Sequence, residues 1–421
     1  MTREESSGLI KIADIFSSDW TVYHQGLSRL KAINGYDNIR NWVITSPGPF
    51  CKKVSESGIE LKMVNMNHKS VTPLNDYLAV RNLRNVLSEE LPDIVHTHNS
   101  KGGAIGRIAS KKARVPFVVH QVHGFYYKRF TGLKRTIYDY YERFLANYCD
   151  LILLQNQEDF QSCIKRGLNK KARLLYIGNG IDLSEFSKTS SKRESPKTYG
   201  KIRLIYIGRM DRNKNHQMLF DALSLLKGEI DFSLDLIGDG PLLKQNTDYV
   251  NSIGISDRVK FHDWIDKKKI PAFLSEAHVN ILTSKQEGMP RAAMEAASMG
   301  VPTIGTNVVG TRDVVIEGKT GFLVPLSDYK GLALQISNLY NNVDLWERTS
   351  KSCYEYALSN FDERIIIKRL VKIYRSIKNG TINELVSKLD GGTDWNSISL
   401  DEIDISDDKK RSVSESRIER R

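Results

Sequence analysis

The sequence predicts an α/β fold made of two doubly wound, Rossmann-like units, each a parallel sheet wrapped by crossover helices. Three observations predict it. Short β-rich runs alternate with longer helix-period stretches along most of the chain. A polar, Ser/Lys-rich segment at 187–201 breaks the alternation, which then restarts at once. And 421 residues exceed the ~250–300 that one hydrophobic core usually serves.

In the first half, candidate strands are LIKIADIF (9–16), NWVIT (41–45), ELKMVNM (60–66), DIVHTH (93–98), FVVHQVH (117–123), LILLQN (151–156) and RLLYIG (173–178). They are rich in Val, Ile and Leu and separated by stretches such as LNDYLAVRNLRNVLSEEL (74–91), whose apolar residues recur at helical spacing. SKTSSKRESPKTYGK (187–201) has no periodicity and reads as a linker. The second series is RLIYIG (203–208), SLDLIG (233–238), VKFHDW (259–264), VNILTS (279–284), VPTIGT (301–306) and GFLV (321–324). The plan is therefore 1–186 as one unit, 187–201 as linker, 202–360 as a second unit and 361–379 as a closing amphipathic helix. The acidic-then-basic stretch 390–421 has too few apolar groups to order itself and is expected to be a disordered tail. Two doubly wound units leave a cleft faced by the carboxyl ends of strands, where such folds bind ligands.

Composition narrows the function. Apolar residues make up 40% and charged residues 27%, an ordinary globular balance, and no apolar run spans a bilayer. The first residues read as a leading strand, not a signal peptide. Cys51, Cys149, Cys163 and Cys353 are scattered and read as free thiols in a reducing, cytoplasmic compartment. A net charge of +12 suits phosphate-bearing ligands or an anionic membrane surface. No nucleic-acid motif accompanies that charge, so nucleic acid is not an expected partner.

Four segments carry the chemistry of the second half. In EGMPRAAMEAASMGVPTIGT (287–306), Pro290 suits the first helical position and Gly300 the residue after the last turn. Glu287 then precedes a helix N-terminus able to hold a pyrophosphate, with Gly288 and Met289 between, and Glu295 lies about one and a half turns inside. Alone, the two glutamates read more readily as a helix cap and a solvated face residue. YIGRMDRNKNHQML (206–219) places Gly208 at a strand end and Arg209 and Lys214 in the following loop, expected to be exposed. Such cations suit phosphate oxygens, though a solvated basic loop is the ordinary fate of Lys and Arg. LIGDGPLL (236–243) offers Gly238 and Gly240 for close backbone approach, or simply a tight turn. NVVGTRDVV (307–315) offers backbone N–H groups at Gly310 and Thr311.

In the first half, His96 and His98 end one strand and precede a Gly-rich turn, and His120 and His123 end another. No Cys or carboxylate completes a metal-binding spacing, so no metal is expected. His123, last in its strand, suits a neutral histidine that hydrogen-bonds a sugar hydroxyl, whereas His96 reads as an internally satisfied residue.

The ordered set GRMDRNKN (208–215), GDGPL (238–242), EGMPRAAMEA (287–296) and GKTGFLV (318–324), with NGID (179–182) and PDIVHTHNSKGG (92–103), resembles the family 4 retaining glycosyltransferases of GT-B fold. These serve bacterial exopolysaccharide, capsule and O-antigen (lipopolysaccharide) assembly. The likeness spans about Ile10 to Lys378. It implies that Arg209 and Lys214 grip the donor diphosphate and that Glu287 and Glu295 are the pair of an E-x7-E motif, beside the sugar and the ribose. It implies that His123 lies near the transferred sugar and that helix 361–379 crosses back to the first unit. The substrate implied is a UDP- or GDP-linked sugar, with no cofactor and no metal. The acceptor implied is a lipid-linked or polysaccharide hydroxyl at the inner face of a membrane, with retention at the anomeric carbon. Two departures stand out. The usual Gly-Gly loop after the first strand is SSDWTVYHQG (17–26), with only Gly26, and no aromatic-Gly pair follows Glu287.

Other readings fit less well. A GT-B epimerase would need no acceptor, a phosphorylase would need a pyridoxal-phosphate lysine context that is missing, and an oxidoreductase would need a GxGxxG after the first strand. A non-catalytic sugar-nucleotide binding module would be expected to lack one of Arg209, Lys214, Glu287 and Glu295, all present here. In FYYKRFTGLKRTIYDYYERFLANY (125–148), a helix from Phe130 would align Phe130, Ile137, Tyr141, Phe144 and Tyr148, with Lys128, Arg129, Lys134 and Arg135 at its start. That pattern suits an interfacial helix on anionic lipid, or one whose apolar stripe packs on the sheet.

Overall fold

The computed structural model describes residues 8–67, 72–125, 130–186, 193–389, 393–400 and 403. The chain divides into two compact units, one of Met1–Gly178 with Arg364–Arg421 and one of Asn179–Glu363.

The first unit is built on seven strands: β1 (Ile10–Ile15), β2 (Ile39–Thr45), β3 (Leu61–Met63), β4 (Ile94–His98), β5 (Phe117–Val122), β6 (Leu151–Leu154) and β7 (Arg173–Tyr176). Their order is β3-β2-β1-β4-β5-β6-β7 and the pairings are parallel. The second unit orders β10 (Val259–His262), β9 (Phe232–Ile237), β8 (Ile202–Ile207), β11 (Val279–Leu282), β12 (Thr303–Thr306) and β13 (Gly321–Val324) in that sequence, again in parallel. In each sheet the order reverses beside the unit's first strand, between β1 and β4 and between β8 and β11. Loops leaving those neighbours diverge to opposite faces and open a crevice at the carboxyl ends.

Strand alternation fills both faces. Leu204 and Tyr206 join one buried cluster of the second unit, and Ile205 and Ile207 pack into the other. In the first unit, Ile10 and Ile12 face one core while Ala13 and Ile15 face another. The Gly-rich stretch after β4 is not a turn. It lies inside the helix Ser100–Lys112, where a Cβ on Gly103 would sit 2.3 Å from His120 Cε1, so glycine there lets the helix close on β5.

The stretch read as a linker is folded where it is described. Ser195 caps the helix Pro196–Tyr199, and the Arg193 guanidinium donates to the carbonyls of Leu274, Ser275, Met299 and Gly300. A polar sequence becomes ordered here because its charge binds carbonyls left over at the ends of two helices. Residues 187–192 lie outside the described residues.

The helix Glu363–Lys378 belongs, from Arg364 on, to the first unit, where Ile366, Ile367, Leu370, Val371, Ile373 and Tyr374 are buried. The outgoing and returning chains pair within the second unit at Ile181 and Asp362. Part of the stretch expected to be disordered also packs on the first unit. Trp395 and Ile403 are buried there, and the Trp395 indole donates to the Tyr176 carbonyl at 2.6 Å. A few apolar residues suffice when a formed core offers a place for them. Trp395→Ala should therefore lower stability by about 3 kcal/mol. Denaturant titration reads this, and a loss below ~1 kcal/mol would show that the segment adds little.

Candidate active site

In the second unit the site grows from two loops at the switch point. β8 ends at Ile207 and leads through Gly208 and Arg209 to Lys214, before the helix His216–Leu226. β11 ends at Leu282 and leads to Glu287. The loops are laced together. The Lys285 N–H donates to the Asn213 carbonyl at 2.7 Å, and the Asn213 side chain donates to the Gln286 carbonyl at 2.9 Å. The Lys214 carbonyl accepts from the hydroxyls of Tyr206 and Thr283, both at 2.9 Å. This frame places Lys214 Nζ 2.6 Å from Glu287 Oε1.

Lys214 is half-buried, not exposed as its sequence context suggests, because its stem lies along Gly208. Burial opposes its charge, but Glu287, Tyr206 and Asp211 outweigh that and hold its pKa above the ordinary value. The ammonium thus stays charged at any working pH. Arg209 is exposed, and its guanidinium has no hydrogen bond or ion pair among the described residues.

Glycines bring backbone to the same place. Gly238 has φ +137, and a Cβ there would lie 2.2 Å from the Gly208 carbonyl oxygen. Gly240 stands likewise against Met210, and Gly310, at φ +80, against the Gly288 carbonyl. Only glycine permits these approaches. The helix after Glu287 is Arg291–Ser298, one residue shorter at its start than expected. Pro290 is the N-cap, with ψ 112, so Glu295 lies just over one turn inside. Met289 and Glu295 are buried. Burial raises the Glu295 pKa, and Arg291 Nε, 3.7 Å away, works against that.

The first unit has its own cluster at the equivalent ends. His98 Nε2 is 2.6 Å from Asp14 Oδ1, His98 Nδ1 is 3.3 Å from His123 Nε2, and His123 Nδ1 is 3.0 Å from Gln155 Nε2. Both ring nitrogens of His123 are therefore hydrogen-bonded within the unit. Burial pushes the His123 pKa well below 6.5, so the ring is neutral. His96 Nδ1 meets the Tyr374 hydroxyl at 2.7 Å.

A carboxylate does join these histidines, from 82 positions before His96 in the chain. Asp14, His96 and His98 bring ligand atoms within 4.8 Å of one another, the usual donors of a divalent transition metal. Yet Asp14 and His98 already spend the atoms in question on a mutual hydrogen bond. Alternation could have shown Asp14, a charge inside the apolar run IKIADIF. The Gly-poor loop after β1 winds into a helical turn at Asp19–Thr21, and Asp19 accepts from the Phe50 N–H at 2.7 Å.

On the surface of this unit, Ile137, Tyr141 and Phe144 of the expected stripe are exposed on the helix Gly132–Leu145, together with Leu133 and Tyr140, while Phe130 and Tyr148 are half-buried. Lys134 and Arg135 are exposed beside it, and Lys128 and Arg129 lie outside the described residues.

Comparison with known proteins agrees with this architecture. The Glycosyltransferase Family 4 profile matches residues 41–185, and the profile Glycosyl transferases group 1 matches residues 187–357. A galactosyltransferase of Escherichia coli, UDP-Gal:alpha-D-GlcNAc-diphosphoundecaprenol alpha-1,3-galactosyltransferase, is 30% identical over 79% of this chain and 87% of its own. The chain belongs to the family 4 glycosyltransferases.

A second relative of this glycosyltransferase, the capsular polysaccharide biosynthesis glycosyltransferase CapM of Staphylococcus aureus, is 26% identical over 77% of this chain and 89% of its own. Two solved structures share the GT-B fold. Sucrose-phosphate synthase from Thermosynechococcus elongatus has a TM-score of 0.74 at 19% identity, covering 88% of this chain and 100% of that one. HepE of Anabaena, in complex with UDP and glucose, has a TM-score of 0.72 at 20% identity, covering 87% and 100%.

Asp14 gives this glycosyltransferase a measurable pH signature. Burial raises its pKa from 3.8 to about 6, against the pull of His96, Asn41 and Arg29. Between those values the folded state binds the extra proton, so stability falls as pH rises through the window. Asp14→Asn should therefore gain on the order of 2–3 kcal/mol over wild type at pH 8 and nothing below about pH 4. Urea titrations at both pH values read this difference, and a gain equal at both would refute the assignment.

Proposed function

We propose that this glycosyltransferase moves a sugar from a UDP- or GDP-linked donor to a hydroxyl of a lipid-linked or polysaccharide acceptor in cell-surface glycan assembly. The reading takes the donor to the second unit and the acceptor to the first. The observation that carries it is the Lys214–Glu287 pair, a charged ammonium and a carboxylate 2.6 Å apart, with the exposed Arg209 on the same loop and a helix N-terminus following Glu287. The ammonium has three donors, so it can keep Glu287 and still bind phosphate. Glu287 can accept from sugar hydroxyls and Glu295 from the ribose.

As the anomeric C–O bond breaks, negative charge grows on the departing diphosphate. Arg209, Lys214 and the N–H groups at the start of Arg291–Ser298 are the groups to stabilise it, which leaves no step that needs a metal. The reading needs no protein nucleophile. The acceptor hydroxyl then attacks from the leaving-group side, with retention, and the phosphate oxygen takes its proton. The names of the E. coli relative and of CapM support a diphosphoundecaprenol-type or capsular acceptor. The UDP bound to HepE supports a uridine donor.

A lipid-linked acceptor suits an enzyme at a cytoplasmic membrane face. No helix among the described residues is long and apolar enough to cross a membrane. The helix Gly132–Leu145, with Leu133 at 77% and Tyr140 at 74% exposure beside Lys134 and Arg135, suits attachment to anionic lipid instead.

Turnover tests the catalytic reading. Lys214→Ala should retain the fold and lower kcat/KM by 100-fold or more (roughly 3 kcal/mol of transition-state stabilisation), while wild type should keep its rate in excess EDTA. Released nucleotide measures both, and near-normal turnover by the variant would sink the assignment. Co-sedimentation tests the membrane. Wild type should bind anionic vesicles at low salt, at roughly 1 kcal/mol per basic residue, and the Lys134→Glu/Arg135→Glu variant should bind less. Equal binding of both proteins points to another surface.

A further inference from the structure

The polar residues of the first unit are joined in one line. Gln155 follows β6, His123 follows β5, His98 ends β4 and Asp14 lies near the end of β1, and these strands are sheet neighbours in that order. Asp14, His98 and Gln155 are buried, while His123 is partly exposed. A line of single hydrogen bonds through two imidazoles has only two consistent polarities.

With Asp14 ionised, Oδ1 can only accept. His98 then carries its proton on Nε2, and its bare Nδ1 accepts from His123 Nε2–H. The bare Nδ1 of His123 accepts in turn from the Gln155 amide. With Asp14 protonated, every bond reverses. Its O–H donates to His98 Nε2, His98 Nδ1–H donates to His123 Nε2, and His123 Nδ1–H donates to Gln155 Oε1 once that amide has turned over. The line takes up one proton in all. Each ring stays neutral, and its proton moves from Nε2 to Nδ1. Neutrality is enforced: burial takes His98 down to about 3 and His123 well below 6.5.

We propose that Asp14, His98, His123 and Gln155 are a hydrogen-bond relay whose polarity is set at Asp14, so that Asp14, His98 and Gln155 are positioning residues for His123. The catalytic significance of His123, which the family resemblance places near the transferred sugar, rests on the proposed glycosyl transfer. At the far end, Gln155 turns its carbonyl away from the histidine in one state and its amide group in the other. A donor and an acceptor of hydrogen bonds are thereby exchanged beside His123, where the backbone enters Gly124 at φ +118.

The groups around the controlling carboxylate are His96 and His98 on β4, Asn41 on β2, Arg29 on the helix Leu27–Asn34 and Tyr374 on the returning helix. Burial favours the protonated carboxyl, and His96, Asn41 and Arg29 favour the ionised one.

Long-range proton–nitrogen spectra of the full chain, labelled with 15N-histidine, read the tautomers directly. At pH 8, His98 and His123 should both be Nε2–H forms. Lowering the pH should convert both together to Nδ1–H with one midpoint near 6, and Asp14→Asn should abolish that transition. Different tautomers on the two rings, or a transition that survives in Asp14→Asn, would overturn the relay. So would zinc-induced shifts of His96 and His98 together, which would make the cluster a metal centre. The kinetic arm uses the nucleotide-sugar assay. His98→Gln should lower kcat about tenfold with the donor KM unchanged, and the acidic limb of the wild-type pH profile should vanish in Asp14→Asn. If His123→Ala leaves kcat intact while the tautomers still switch, the role given to His123 fails and the relay stands. If His123→Ala lowers kcat but His98→Gln does not, the positioning role fails.

Discussion

Parallel pairing is the constraint on which both units depend. Every strand of a parallel sheet ends at the same edge, so whatever follows the strands gathers there. Where strand order reverses, between β1 and β4 and between β8 and β11, the following segments part and leave room. Lys214 and Glu287 come from loops 73 positions apart and still meet, because β8 and β11 are neighbours with aligned ends. The same geometry lines up Asp14, His98, His123 and Gln155 in the first sheet.

Charge in the second unit is kept available by backbone, not by bulk water. A half-buried ammonium loses hydration, and Glu287 offsets that loss only because Asn213, Lys285, Tyr206 and Thr283 hold both loops in place. Gly238, Gly240 and Gly310 serve the same end by letting loop backbones touch without a Cβ between them. Fixed charges held in a rigid frame of this kind are the arrangement that stabilises charge developing on a bound phosphate best.

The first unit carries the opposite kind of chemistry. Its buried histidines are neutral, and burial is the largest influence on Asp14, His96, His98 and His123 alike. A buried carboxylate held by one short hydrogen bond destabilises the fold at neutral pH. The apolar packing of the returning helix and of Trp395 against the same unit supplies compensating stability.

Sequence alone determined the repeating strand–helix alternation, the parallel sheets, the two-unit plan and the family, because periodicity and motif order are local properties of the chain. It also marked Arg209, Lys214, Glu287 and Glu295 as chemically suited to a sugar nucleotide. It misjudged what depends on distant neighbours. The Arg193 segment is ordered by carbonyls around 274 and 299, and Trp395 by a hydrogen bond to the Tyr176 carbonyl, 219 positions earlier. Gly103 reads as a turn glycine until His120 is placed against it, and Asp14 as part of an apolar strand until two histidines reach it. Only tertiary structure could decide that both His123 nitrogens are occupied and that Lys214 is paired, because hydrogen bonding is fixed by position to within a few tenths of an ångström, whereas residue spacing in the sequence fixes only which face of an element a side chain takes.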